Sequence, residues 1–158
     1  KIDNKKTLNN IYNYFGTITS NPLLLNGSIY ENICLSQNIS KEVKSKINNI
    51  LKHLGMTKLS KSYSFEKDVN QKLSQGEKQA IAIARFIFFK KQILIIDEGT
   101  SNLRIDLEKN LIKALNKINK ELTIIFITHR YNNLSMFKKI YKIHNKKLKT
   151  YFITNKKK

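Results

Sequence analysis

Apolar residues recur at helical spacing in two long stretches of the chain. In residues 40–54, SKEVKSKINNILKHL, apolar side chains stand at positions 43, 47, 50, 51 and 54, which is the spacing of one face of an α-helix. Gly55 follows, a residue type that commonly ends helices. In residues 72–86, KLSQGEKQAIAIARF, a polar loop leads directly into an apolar run. This second pattern predicts a helix over about residues 74–89.

Two short aliphatic runs predict strands that are buried on both faces. They are ILIID, residues 93–97, and LTIIFITH, residues 122–129, and such runs are typical of a parallel sheet covered on both sides. Other strands are predicted at residues 15–19, 139–144 and 148–154, and a helix at 107–119. The first residues suggest a short strand, a turn and a helical piece, and residues 56–71 look polar and irregular. The alternation of strand and helix in the second half predicts an α/β fold.

Composition limits the class of protein. The 158 residues suffice for one domain with a core, or for a large piece of something longer. The single cysteine, Cys34, excludes an internal disulfide and a cysteine-rich metal site. No apolar run approaches the ~18 residues of a membrane-spanning helix. The net charge of +19 would suit nucleic acid or an anionic membrane, but lysines spread along the whole chain favour a general compositional bias.

Polar side chains follow both predicted core strands. Asp97 and Glu98 end the first of them, where parallel α/β sheets bind ligands. One carboxylate can hold Mg²⁺, usually through water, and the next can orient or deprotonate an attacking water. His129 ends the second strand and could contact a phosphate. Taken singly, these residues also fit a solvated strand end and a structural histidine.

The loop before the second helix has the pattern S-x-x-E, with Ser74 and Glu77. This is a capping box, and Ser28 with Glu31 forms another. A helix N-terminus presents free N–H groups that suit a phosphate. Gly76, which has no side chain, would let an oxyanion approach the backbone.

Together, in this order and at these spacings, the segments resemble the ATP-binding-cassette (ABC) ATPases. LSQGEKQAIAIARF resembles the family signature and its helix, ILIIDEGTS resembles the Walker B strand with its catalytic glutamate, and THR resembles the switch-histidine segment. Upstream, TITSNPLLLNGSIYENI, residues 17–33, resembles the Q-loop region of ABC exporters, which faces the membrane domain. The resemblance covers nearly all of the chain.

The resemblance implies a sandwich in which two cassettes face each other head to tail. Each ATP would lie between the P-loop of one cassette and the signature of the other. The resemblance implies that Ser74, Gln75, Gly76 and Glu77 belong to the signature and that Ser20 stands at the Q-loop position. It also implies that Asp97 binds Mg²⁺ through water, that Glu98 is the general base and that His129 contacts the γ-phosphate. The implied cofactors are ATP and Mg²⁺.

The sequence departs from the family pattern at three places. A P-loop, G-x-x-x-x-G-K-[ST], is absent, because none of the five glycines is followed by Lys and then Ser or Thr. In the family the P-loop lies upstream of a segment like KIDNKKTL, so we expect the chain to be a fragment that starts just after it. Ser20 replaces the Q-loop glutamine, and Arg104, in TSNLRID, replaces the D-loop aspartate.

These departures leave alternatives open. The main hypothesis is a fragment of an exporter ATPase domain, inactive alone. Ser20 and Arg104 favour instead a degenerate subunit that offers its signature to a partner's ATP. LSQGEK and the +19 charge suggest an ABC ATPase acting on nucleic acid or the ribosome, and the exporter-like NGSIYENI speaks against that.

We therefore predict an α/β fold with a P-loop NTPase-like (RecA-like) parallel sheet core, incomplete at its N-terminal side, and an inserted helical subdomain. Residues 1–27 would belong to the core with the Q-loop, 28–90 to the helical subdomain, and 91–158 to the second half of the core. The predicted function is ATP hydrolysis coupled to export at the cytoplasmic face of the plasma membrane. The expected partners are a second cassette and a transmembrane domain, and nucleic acid is not expected.

Overall fold

The helices and strands are described by a computed structural model, which covers residues 13–62, 72–118 and 121–151. These residues fall into two units, with the boundary between Thr128 and His129. The elements of the first unit are β1 (Phe15–Thr19), α1 (Ile29–Cys34), α2 (Lys41–His53), α3 (Thr57–Ser62), α4 (Gln75–Phe88), β2 (Ile93–Asp97), α5 (Ile105–Ile118) and β3 (Thr123–Ile127). The second unit contains a 3₁₀ turn (Leu134–Met136), β4 (Tyr141–His144) and β5 (Lys147–Thr150).

The three strands of the first unit form a parallel sheet in the order β1–β2–β3. Thr19 pairs with Asp97, and Asp97 with Ile127, so the last residues of all three strands lie side by side. The residues that follow the strands, Ser20 and Glu98 among them, therefore emerge at one edge of the sheet. The predicted α/β class with a parallel sheet is confirmed.

Helix α4 covers one face of this sheet. Ile18, Ile96 and Phe126 share that face through the strand register, and Ile18 and Ile96 are almost fully buried. A Cβ on Gly16 would collide with the ring of Phe86 on α4, so the absence of a side chain at Gly16 lets the helix approach the strand closely. This layer of sheet and helix forms the main core.

The other face of the sheet is open among the described residues, which contradicts the prediction of strands buried on both sides. Ile125 and Ile127 of β3 are 47% and 50% exposed, whereas Leu94 and Ile96 of β2 are 0% exposed. The physical reason is that the described helices pack on one face only. β3 also ends at Ile127, two residues before the predicted end.

The helices and β2 agree closely with the predictions from the sequence. β2 has the predicted bounds, α2 and α4 begin at the serine caps Ser40 and Ser74, and Gly55 has the positive φ of 73° expected after a helix. Helix α3 was not predicted, because a six-residue helix that buries Leu59 is too short to give a periodic signal. The predicted elements within residues 1–12 lie outside the described residues.

The second unit contains an antiparallel hairpin, β4–β5. Its two turn residues, Asn145 and Lys146, both have positive φ (49° and 59°), as a two-residue type I′ turn requires. The hairpin confirms the last two predicted strands in position, although β4 begins two residues after the predicted start and β5 ends at Thr150. Of the predicted last strand, positions 152–154 lie outside the described residues. In the described part of the chain, no helix has the length and apolar character needed to cross a bilayer.

Candidate functional site

The start of α4 is a complete capping box, as predicted. The backbone N–H of Glu77 donates to Ser74 Oγ (3.4 Å), and the backbone N–H of Ser74 donates to Glu77 Oε2 (2.9 Å). Ser74 Oγ also donates to the same carboxylate oxygen (2.7 Å). The N–H groups of Gln75 and Gly76 lie in the first turn, where a helix offers no internal acceptor. They are therefore available to an anion at this helix end.

Three amide side chains converge on the carbonyl oxygen of Ser20, just beyond β1. Gln75 Nε2 donates at 2.7 Å, Gln79 Nε2 at 3.1 Å and Asn102 Nδ2 at 3.5 Å. These contacts join the loop after β1 to the start of α4 and to the loop after β2. The structure thus brings Ser20 and the predicted signature residue Gln75 together.

Gln79 and Asn102 were missed in the sequence. Gln79 is completely buried, and its Oε1 has no hydrogen-bond partner among the described residues. A signal was present, because Gln75 and Gln79 are four residues apart and hence share one face of a helix. Nothing in the sequence indicated that their common acceptor would be the Ser20 carbonyl.

Asp97 and Glu98 occupy the end of β2 with different backbone geometry. Asp97 is the last strand residue and is exposed. Glu98 has φ of 49°, a left-handed conformation that costs a residue with a side chain about 1–3 kcal/mol. Its N–H donates to the carbonyl of Ile127 (2.9 Å), and its own carbonyl accepts from Ser101 N–H (3.0 Å). These bonds hold Glu98 in a conformation that the chain would otherwise avoid.

The residues around Asp97 fit a magnesium ion only if most of its ligands come from elsewhere. In residues 13–62, 72–118 and 121–151, no group of three or more His, Cys, Asp and Glu side chains could hold a metal. Asp97 and Glu98 supply two adjacent exposed carboxylates. Mg²⁺ usually keeps several waters and binds one or two carboxylates together with substrate phosphates, so the pair is compatible with it.

A buried polar pair supports the loop after β2. Thr100 Oγ1 donates to Glu108 Oε1 on α5 at 2.5 Å, and the two residues are 1% and 2% exposed. The pair links the residue two positions after Glu98 to the first turns of α5. The sequence did not indicate this pair, because threonine in a loop and glutamate in a helix are residue types that usually lie at the surface.

We expect Thr100→Val to destabilise the first unit by about 1–3 kcal/mol, since it deletes a buried hydrogen bond to a carboxyl group while keeping the side-chain shape. Urea unfolding followed by circular dichroism measures this change. Thr123→Val is the matched control, because Thr123 is exposed on β3 and its replacement should have little effect. An equal loss in both variants would contradict a specific role for the buried pair.

Arg104 is paired with a neighbouring carboxylate, and His129 belongs to the second unit. Arg104 Nε and Nη2 contact Asp106 Oδ1 (3.1 Å) and Oδ2 (3.3 Å), and both side chains are largely exposed. Asp106 therefore offsets the positive charge of Arg104, which stands where the family pattern has the D-loop aspartate. His129 comes two residues after β3 and opens the second unit, so its predicted role beside Glu98 remains a prediction.

Arg85 joins α4 to α1 and to the segment that precedes α1. Its Nε donates to the Asn32 carbonyl (2.8 Å) and its Nη1 to the Leu23 carbonyl (3.2 Å). Burial lowers the pKa of the Arg85 guanidinium, which still stays protonated at neutral pH. The Asn32 side chain exchanges two hydrogen bonds with the backbone of Leu25, at 2.8 and 3.0 Å. The conformation of NGSIYENI is thus tied to the helix that follows the capping box.

A parallel sheet with a capped helix start and paired carboxylates at the carboxyl ends of its strands defines an α/β protein with a candidate anion-binding edge. In a comparison of structures, the chain matches a bacterial Atm1-family ABC exporter with ATP bound, with a TM-score of 0.76 over 89% of this chain and 25% of that one, at 23% identity. The sequence model for the family described as ABC transporter matches residues 2–101. The chain belongs to the ABC transporter family.

Two relatives illustrate how much of such proteins the chain spans. It is 37% identical to the methionine import ATP-binding protein MetN of Clostridium tetani (strain Massachusetts / E88), over 65% of this chain and 32% of that protein. It is 36% identical to the sublancin-168-processing and transport ATP-binding protein SunT of Bacillus subtilis (strain 168), over 83% of this chain and 18% of that protein. The chain therefore spans a third or less of these relatives.

Proposed function

We propose that the chain is part of the ATP-binding domain of an ABC exporter, in which ATP hydrolysis moves a transmembrane domain at the cytoplasmic face of the plasma membrane. In this proposal, the signature residues Ser74 to Glu77 face ATP held on the P-loop of a second cassette. The supporting observation is the Ser20 carbonyl, where Gln75 of the signature and Asn102 of the loop after β2 meet. This contact brings the start of α4 and the loop after β2 together at one edge of the sheet.

Each predicted site residue has a distinct task in this proposal. When bound, Mg·ATP supplies the γ-phosphoryl group and the cation that neutralises its charge. Asp97 would hold a water of the cation, Glu98 would take the proton of the attacking water, and His129 would contact the γ-phosphate. The N–H groups of Gln75 and Gly76 donate to the phosphate across the interface, where fixed donors stabilise developing charge. The same proposal includes the boundaries of the helical subdomain, which would follow residue 27 and end at residue 90.

Export is favoured over import by the segment NGSIYENI, which is similar to exporters. The SunT relative, named for processing and transport, aligns with 83% of the chain, whereas the MetN relative, named for import, aligns with 65%. A second candidate is a degenerate subunit that completes a partner's site and does not hydrolyse ATP at its own. Arg104 in the loop after β2 and Ser20 after β1 favour it, and the turnover of the full-length protein distinguishes the two.

We expect the 158-residue chain by itself to bind Mg·ATP only weakly, with no saturation at micromolar concentrations. The reason is that the sequence contains no phosphate-cradling loop, and the N–H groups of one helix start are few donors for a triphosphate. The chain has no tryptophan whose fluorescence could report binding, so isothermal titration calorimetry suits the measurement. Micromolar binding would show that the chain holds the nucleotide without a P-loop.

A further inference from the structure

An elongated groove runs along α2 on the first unit, and its lining contains none of the residues of the candidate site. A cavity of about 880 Å³ lies between α2, the end of α4 and the end of α5, and a second of about 320 Å³ adjoins it. Lys46, Ile50, Ile87 and Ile118 line both cavities, so the two form one continuous groove. We call this surface the α2 groove.

The shape of the α2 groove suits a rod-like partner. Its lining follows α2 from Lys41 to His53, which at 1.5 Å per residue is a length of about 18 Å. The floor is apolar, formed by Ile50, Ile87 and Ile118, and Ile118 is 40% exposed. A length of about 18 Å corresponds to three turns of α-helix, and an apolar floor accepts the apolar face of such a helix.

The charge of the α2 groove is positive along its whole length. Lys41 stands at one end, Lys46 in the middle and Lys90 in the second cavity. Glu42 is the one acidic residue in the lining. Its carboxylate accepts a hydrogen bond from Ser40 at the start of α2, and this bond lowers the pKa of the carboxyl group. Lys41 lies in the first turn of α2, where positive charge opposes the helix dipole, so helix stability does not explain it.

Lys46 is held in place at the junction of the two cavities. Its Nζ donates to the Phe88 carbonyl (3.3 Å) and lies 4.2 Å from the centre of the Phe88 ring. A cation fixed by a carbonyl and a ring face keeps its net charge and loses little entropy when a carboxylate binds. The Lys46 ammonium group is therefore preorganised to bind an acidic side chain.

We propose that the α2 groove binds an acidic amphipathic helix of about three turns, supplied by another polypeptide segment. Apolar residues of this helix cover Ile50, Ile87 and Ile118, and carboxylates on its flanks meet Lys41, Lys46 and Lys117. Charge spread along the groove matches several carboxylates, whereas a lipid has one headgroup and a bilayer is too flat for a concave surface. A second copy of this chain would bring the same lysines to the groove. The proposal does not depend on ATP chemistry.

The test uses the intact protein that contains this chain and a labelled peptide of about 15 residues, with Leu on one helical face and Glu on the other. Fluorescence anisotropy should show micromolar binding. A scrambled peptide of equal composition should bind at least about tenfold more weakly, because it lacks the apolar face. Equal binding of both peptides, or no binding, would overturn the proposal.

Paired variants separate the groove from the general positive field of the chain. K46E/K117E should weaken peptide binding about tenfold or more, and K109E/K113E, which reverses two exposed lysines of α5 outside the groove, should change it less than about twofold. Ile118→Ser should weaken binding, whereas Leu107→Ser, at an exposed position outside the groove, should not. Circular dichroism checks that all variants fold. Equal losses in test and control pairs, or groove-dependent binding of anionic vesicles without the peptide, would refute the inference.

Discussion

Glu98→Gln is expected to lower the ATP hydrolysis rate of the full-length protein by about 10²–10⁴-fold while leaving ATP affinity nearly unchanged. The amide has the size of the carboxylate but cannot accept a proton from water. Glu98 follows β2 directly, at the edge where Ser20 and Asp97 also lie, and backbone hydrogen bonds to Ile127 and Ser101 fix its position. Phosphate release measures the rate, and equilibrium nucleotide binding measures the affinity.

Glu121→Gln is the matched control for Glu98→Gln. Glu121 precedes β3 and so lies at the opposite edge of the sheet, and its replacement should leave turnover within about twofold, since surface changes away from a site are usually near neutral. Turnover that survives Glu98→Gln would remove Glu98 from the role of general base. Negligible turnover already in the unaltered protein would instead favour the degenerate subunit.

Gly99→Ala is expected to destabilise the first unit by about 1–3 kcal/mol or more, as overpacked core positions do. A Cβ at Gly99 would lie 2.5 Å from the carbonyl oxygen and 2.7 Å from Cγ2 of Ile18. The first of these atoms is backbone of β1 and cannot rotate away, so β1 and β2 would have to separate. The midpoint of thermal or urea unfolding measures the loss.

Gly76→Ala makes the same chemical change in a place with room for it. The nearest atom to a Cβ at Gly76 is Leu103 Cδ2 at 3.4 Å, and alanine in a helix is more stable than glycine by about 0.5–1 kcal/mol. Stability should therefore hold or rise, whereas hydrolysis in the full-length protein should fall, because a methyl group obstructs an oxyanion at the helix start. If Gly76→Ala lost as much stability as Gly99→Ala, the expected difference between the two glycine positions would be contradicted.

The parts of the fold that local chemistry decides could be predicted from the sequence. Ser74 and Glu77 satisfy each other's backbone N–H groups within four residues, so the start of α4 needs no distant partner. The apolar run at 93–97 predicts β2 because aliphatic, β-branched residues suit a covered strand. The motifs carried by these segments were also enough to indicate the ABC transporter family, which the comparisons confirm.

Other features depend on contacts between residues far apart in the chain, and only the tertiary structure decides them. β3 has the same aliphatic pattern as β2 but is more exposed on both faces, because it is the outer strand of the described sheet whereas β2 lies between β1 and β3. Strand register, rather than any motif, places Ser20 beside the end of β2 and within reach of Gln79, 59 residues away. The sequence by itself thus determined the helix caps, the strand segments and the candidate residues. Packing determined which of them meet, because the Ser20 carbonyl can bind two donors from α4 and one from the loop after β2 only after the sheet and α4 have come together.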